Sequence, residues 1–311
     1  MATKSMVAPL ALDSTQTARV SRSSTLSDYW ALTKPEVNFL IVITTFAGFY
    51  LGCEAIGRNF PLALAINAVL GTLLVASGTG TLNQYVERDF DAQMRRTARR
   101  PLAAGRLRPS AVLWFGVALF VAGTVYLALA VNLLASLLAL ATLLSYLFLY
   151  TPLKRKSPLC TLVGALPGAM PPLIGWAAAA GRLTYDAWGL YAALFLWQFP
   201  HFMAIAWMYR EDYDRAGYMV LPRDLQARAR FVCIQTLLPL AFLLPISLIP
   251  AFIGKAGTLY TVAASALGIA FLYYGTRFVL NRSNSAARRL LAASILYIPA
   301  LLLLTLLFGA S

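Results

Sequence analysis

Glu87, Asp89 and Asp91 fall within five residues of one another in the stretch NQYVERDFDAQMRRTARRPL, residues 83–102. They are a quarter of the 12 acidic residues in a 311-residue chain, and Arg88, Arg95, Arg96, Arg99 and Arg100 accompany them. Asn83, Glu87 and Asp91 are spaced by four, so on a continuous helix they form one ladder roughly 12 Å long, with Asp89 on the opposite side. An amide carbonyl and two carboxylates on one face are hard oxygen donors suited to Mg²⁺, which is commonly held by one or two carboxylates together with substrate phosphate oxygens. The neighbouring guanidinium groups would take up the remaining charge of a bound phosphate. The plainer reading of the same residues is a solvated, salt-bridged helix end.

A second acidic run, YREDYDRAG at residues 209–217, supplies Glu211, Asp212 and Asp214, so two short windows hold half of all the acidic residues. Asp212 is the expected functional member, whereas Glu211 and Arg215 make an i,i+4 pair that would serve to stabilise a helix end. Between the two runs lies YTPLKRKSP, residues 150–158. Lys154, Arg155 and Lys156 act there either as topology signals or as the third wall of a phosphate site. The only histidine, His201, stands in LFLWQFPHFMAIAW, residues 194–207. It is about nine residues from the basic end of its apolar run, hence roughly 13 Å into a membrane. An ionisable group at that depth is a functional candidate. The alternative is a core histidine bonded to the backbone carbonyl that Pro200 frees, with Gln198 facing the same broken helix.

The elements that must position these residues follow from hydropathy. The composition is 59% hydrophobic and only 12% charged, with a mean hydropathy of +0.69, and apolar runs of about twenty residues recur along the chain, as in a polytopic membrane protein. Nine spans are expected, at approximately 37–55, 62–82, 111–129, 132–150, 159–178, 187–207, 232–252, 257–278 and 290–309. Of 26 Lys and Arg residues, 23 fall in the N-terminal segment and in the connections after the even-numbered spans; Arg58, Arg182 and Lys255 fall on the other side. The excess of basic residues places the N-terminus and the acidic motifs in the cytoplasm. It also accounts for the net charge of +14 without nucleic acid, for which the chain offers no fold.

Residues 1–27, rich in Ser, Thr and Ala, read as a disordered cytoplasmic tail, and residues 28–311 as one transmembrane domain. Cys53, Cys160 and Cys233 are odd in number and widely separated, which points to free thiols.

With two acidic motifs at the same ends of spans 2 and 6, the chain resembles the intramembrane prenyltransferase superfamily. Within it, LTKPEVN (32–38), NQYVERDFDAQMRRTARRPL, YTPLKRKSPLCTLVGALPGAMPPLIGWAA (150–178), WQFPHF (197–202) and EDYDRAG (211–217) resemble the heme O synthase family, the protoheme IX farnesyltransferases, over most of residues 30–225. The chain departs from that pattern at Glu87, where Asp is commoner, and at Ala216, Glu36 and Met219. The resemblance implies an all-α bundle of nine helices around a central cavity opening to the cytoplasm. It implies transfer of farnesyl from farnesyl diphosphate to the ring A vinyl group of heme b, with water added, giving heme O.

On this reading Asn83, Glu87, Asp91 and Asp212 hold Mg²⁺ and carry the catalysis. Arg88, Arg96, Arg100, Lys154, Arg155, Lys34, Asn38, Gln198 and His201 bind the substrates, His201 either as a ligand of the heme iron or by positioning the porphyrin. The lipid bilayer of a bacterial inner membrane is the implied surrounding, with a heme A synthase or terminal oxidase as the candidate protein partner. A quinone or pigment prenyltransferase would share the acidic motifs without needing WQFPHF. A transporter would line a continuous path with charge, whereas here the acids gather at one surface.

Overall fold

The computed structural model describes residues 24–308, and these contain helices and turns with no strand. In chain order the helices are α1 (Thr25–Leu32), α2 (Pro35–Ala55), α3 (Leu62–Asp91), α4 (Pro109–Ala130), α5 (Leu133–Leu153), α6 (Cys160–Ala180), α7 (Tyr185–Met208), α8 (Arg210–Arg215), α9 (Leu225–Phe252), α10 (Thr258–Asn281) and α11 (Asn284–Phe308). All but α1 and α8 are long and apolar enough to cross a membrane, which makes nine spans among the described residues. The chain is a polytopic membrane protein.

Where helix ends differ from the sequence expectation, a polar group explains the shift. α9 starts at Leu225 rather than near 232 because Asp224 caps it, its carboxylate accepting from the Ala227 N–H at 2.7 Å. α11 starts at Asn284 rather than near 290, and the Ser283 hydroxyl accepts from the Ala286 N–H at 3.2 Å. α3 continues past residue 82 to Asp91, the continuous helix that the four-residue ladder requires. α1 begins inside the stretch read as a tail, with the Ser24 hydroxyl accepting from the Ser27 N–H; residues 1–23 lie outside the described residues.

In lipid there is no hydrophobic gain from helix association, so tight backbone approach has to supply the packing. Glycines make that approach possible. A Cβ on Gly48 of α2 would run into the Pro172 carbonyl of α6, and one on Gly175 of α6 into the Thr45 carbonyl of α2. The α3/α4 pair is equally close: a Cβ on Gly78 would lie 2.7 Å from the Phe120 nitrogen. α6 is the most enclosed span, buried over 72% of its apolar window, and it bends at Pro167. α5 ends in a π turn, Ser145–Tyr150, just before Pro152, whose missing N–H interrupts the ordinary ladder. That irregular turn delivers Lys154 to the acidic end of α3.

Candidate active site

The ladder on α3 faces inward: Asn83 and Asp91 are each 1% exposed and Glu87 is 5% exposed. Asp89 points away, with its side chain 75% exposed beside Arg88 at 3.7 Å. From α8, Asp212 is buried while Glu211 and Asp214 are exposed, so the structure singles out the same aspartate as the sequence. The expected Glu211–Arg215 pair does not form. Arg215 turns instead to Asp212 at 3.0 Å, and Glu211 lies 3.6 Å from Arg210, because burial makes Asp212 the stronger attractor.

Each ladder oxygen donor is met by a cation from a different part of the chain. Lys34 donates to Asn83 Oδ1 at 2.8 Å, Lys154 to Glu87 Oε1 at 2.7 Å, and Arg100 to Asp91 Oδ2 at 2.7 Å. Asp212 Oδ2 accepts from the Arg96 backbone N–H at 3.2 Å, which joins the loop after α3 to α8. The Met219 N–H donates to the Lys154 carbonyl at 2.7 Å and joins the loop after α8 to the end of α5. Lys34 is held in the left-handed region (φ 54°), an uncommon place for a residue with a Cβ, and there its ammonium reaches Asn83. Burial and the nearby Arg100 charge push Lys34 down to about 7. Burial acts downward on Lys154 as well, but the Glu87 carboxylate outweighs it and holds that ammonium well above its usual range.

The remaining expected site residues take varied positions. Arg96 lies over the Tyr209 ring at 5.2 Å beside a cleft of about 360 Å³ lined by Arg95, Arg96, Met208, Tyr209, Glu211 and Asp212. Arg155 lies over the Phe90 ring at 4.5 Å. Arg88 donates to the Tyr85 carbonyl at 2.8 Å, on the Asp89 side of α3 and away from the ladder. Asn38 is engaged in bracing, its amide donating to the Thr33 carbonyl and to Ser77. Gln198 donates to the Ala165 and Leu194 carbonyls, which fastens α7 to the bend in α6. His201 does not bond a carbonyl near Pro200; its Nδ1 lies 2.8 Å from the Ser294 hydroxyl of α11, and its ring lies 4.9 Å from that of Trp197.

Tyr218 is a site residue that the sequence did not reveal. Its phenol is buried between Phe90 and Tyr213, 5.9 Å from the Lys154 ammonium to ring centre, and its hydroxyl makes no close hydrogen bond beyond a longer contact with the Glu87 carboxylate. Burial and the Glu87 charge push it far up, so it stays a protonated donor.

Among the described residues no three acidic, histidine or cysteine side chains converge on one point. The donor chemistry nevertheless fits Mg²⁺ shared with a phosphate, which needs only one or two carboxylates. Asp91 Oδ1 is buried without a partner, an orphaned hard acceptor at the end of the ladder.

A nine-span bundle whose charge gathers at one end, with acids at the end of the second span and just after the sixth and cations between them, is the design of an intramembrane prenyltransferase. The chain belongs to the UbiA prenyltransferase family, whose profile matches residues 41–307. It is similar to the protoheme IX farnesyltransferase of Solibacter usitatus (strain Ellin6076), 49% identical over 283 residues, covering 88% of this chain and 96% of that protein. The protoheme IX farnesyltransferase of Koribacter versatilis (strain Ellin345) is 43% identical over 289 residues, covering 90% and 92%.

Two solved structures share the fold. A digeranylgeranylglyceryl phosphate synthase superposes with a TM-score of 0.74 at 17% identity, over 92% of this chain and 98% of that one. A UbiA homolog from Archaeoglobus fulgidus bound to GPP and Mg²⁺ gives 0.64 at 17% identity, over 89% and 99%.

Proposed function

We propose that this chain transfers the farnesyl group of farnesyl diphosphate to the ring A vinyl group of heme b, with addition of water, giving heme O and diphosphate. The observation that carries the reading is the 49% identity to a protoheme IX farnesyltransferase across 96% of that protein. The buried, cation-matched ladder Asn83–Glu87–Asp91 supplies a site suited to the diphosphate.

The chemistry follows from an allylic leaving group. The bond between farnesyl C1 and the diphosphate oxygen breaks, and its electron pair leaves with the diphosphate. Lys154, Arg100 and Lys34 are placed to turn from their present acceptors to the phosphate oxygens and stabilise the charge that develops there. Tyr218 adds a neutral donor at the same wall. Asn83, Glu87, Asp91 and Asp212 are the residues that would hold Mg²⁺, which when bound supplies Lewis-acid neutralisation of the leaving group. The terminal vinyl carbon then bonds to C1. The cation left on the carbon next to the porphyrin takes the oxygen of water, whose proton departs to the diphosphate or to solvent. Until that point the bundle interior has to exclude water from the allyl cation.

His201, in the half of α7 nearer α8, serves on this reading as the ligand for the heme iron. Asn38 and Gln198 support the substrates by bracing the helices around them. The basic end faces the cytoplasm of a bacterial inner membrane, and an enzyme or oxidase that consumes heme O is the candidate partner.

Membranes containing the protein, incubated anaerobically with heme b, farnesyl diphosphate and Mg²⁺, should yield heme O by mass spectrometry. Absence of heme O, with a prenylated quinone formed in its place, overturns the reading.

A further inference from the structure

Trp197 and His201, one turn apart on α7, both fasten to a single residue of the last span. The Trp197 indole N–H donates to the Ser294 carbonyl at 2.7 Å, and His201 Nδ1 lies 2.8 Å from the Ser294 hydroxyl oxygen. That hydroxyl in turn lies 2.6 Å from the Leu291 carbonyl oxygen. Two oxygens this close need a proton between them, and a carbonyl has none to give. The one hydroxyl proton is therefore committed to Leu291. The proton in the contact between His201 and Ser294 has to come from the imidazole.

We infer that Ser294 is a positioning residue that fixes His201 in the Nδ1–H tautomer and so leaves the Nε2 lone pair free to bind the heme iron. The inference rests on the assignment of His201 as heme ligand and says how the chain prepares it. Ser294 is fully buried, so water does not compete for its oxygen. The indole clasp at the carbonyl of the same residue holds α11 in register with α7. His201 Nε2 has no protein partner among the described residues, and the ring is only part-buried. Metal-bound imidazoles are generally oriented in this way, the second nitrogen donating to an oxygen of the protein, and loss of that acceptor lowers metal affinity about 10- to 100-fold.

The chain contains one histidine, so the tautomer can be read without assignment work. Protein labelled with nitrogen-15 histidine and held in detergent or nanodiscs should show, by long-range proton–nitrogen correlation, a protonated Nδ1 and a bare Nε2. The opposite pattern overturns the inference. In heme titrations Ser294→Ala should weaken binding about 10-fold or more and shift the Soret band, with farnesyl diphosphate affinity unchanged. Ser294→Thr, which keeps the hydroxyl, should recover most of the loss. If Ser294→Ala binds heme with wild-type affinity and spectrum while His201→Ala does not, the positioning role is wrong and the heme-ligand assignment stands. If His201→Ala leaves the heme spectrum unchanged, the ligand assignment falls, and the tautomer measurement still stands by itself. Should Ser294→Ala fail to fold, the wild-type nitrogen spectrum decides the tautomer alone.

Discussion

Lys154→Met should destabilise the protein far more than the loss of one surface charge would. The Lys154–Glu87 pair is 2.7 Å long, with side chains 13% and 7% exposed. At that distance the Coulomb attraction is about 6 kcal/mol for the effective dielectric of about 20 that suits buried protein sites. Most of that offsets the cost of desolvating two ions, so the pair itself adds little net stability. Removing one partner is different, because Glu87 then stays buried without compensation, at a cost of about 3–5 kcal/mol. Lys34, which also feels the Glu87 charge, remains in place, so the lower end of that range is expected.

The double variant Glu87→Gln/Lys154→Met removes both charges and should return to within about 1 kcal/mol of the parent. Unfolding in detergent, followed for the parent, both single variants and the double variant, gives the coupling directly. A loss below about 1 kcal/mol in Lys154→Met, or a double variant as unstable as the sum of the singles, would refute the claim that the pair is shielded from solvent.

Three other outcomes are expected. Asp91→Ala should abolish product formation while Asp89→Ala leaves most of it, since the first residue is buried on the ladder and the second is exposed; equal losses would remove the one-face argument. Tyr218→Phe should lower turnover about 10-fold, in keeping with the loss of one placed donor, yet leave the melting temperature nearly unchanged, because its hydroxyl has only a long contact with Glu87 and no close hydrogen bond in the folded protein; a clear drop in melting temperature would show that the phenol is structural. In a background lacking the native cysteines, thiols placed at residues 58 and 255 should react with an impermeant reagent outside intact cells, and one at residue 155 should not. Labelling at 155 alone would invert the orientation.

The spans were legible because length and hydropathy in lipid leave few alternatives, and the ladder was legible because a spacing of four has one meaning on a helix. α1 was not, since eight residues with a polar N-cap and one buried aspartate carry no apolar run; it is held by tertiary bonds, Asp28 to Arg106 and the Leu32 carbonyl to Gln84. Polar residues inside spans have a second task that the sequence does not disclose. Gln198 and Asn38, expected as substrate contacts, also satisfy backbone carbonyls and a serine through their amides, tasks that any helix bent by proline or packed on glycine creates. Ser294 drew no attention at all, because a lone serine in an apolar run is ordinary and its meaning lies in the histidine 93 residues earlier. The partner of Arg215 was decided by which aspartate is buried, a quantity that spacing does not contain.

The position of Ser294 in the chain bears on how the protein is made. All of the acidic and basic groups around the ladder are synthesised by Met219, whereas the residue that orients His201 arrives 75 residues later, in the final span. At ordinary translation rates that interval lasts about 4–15 s. During it the growing chain can already assemble its diphosphate end, but the histidine has no acceptor to settle its tautomer. If His201 is the heme ligand, a chain interrupted before α11 should bind heme about 10-fold or more weakly, so tight capture waits for the last span.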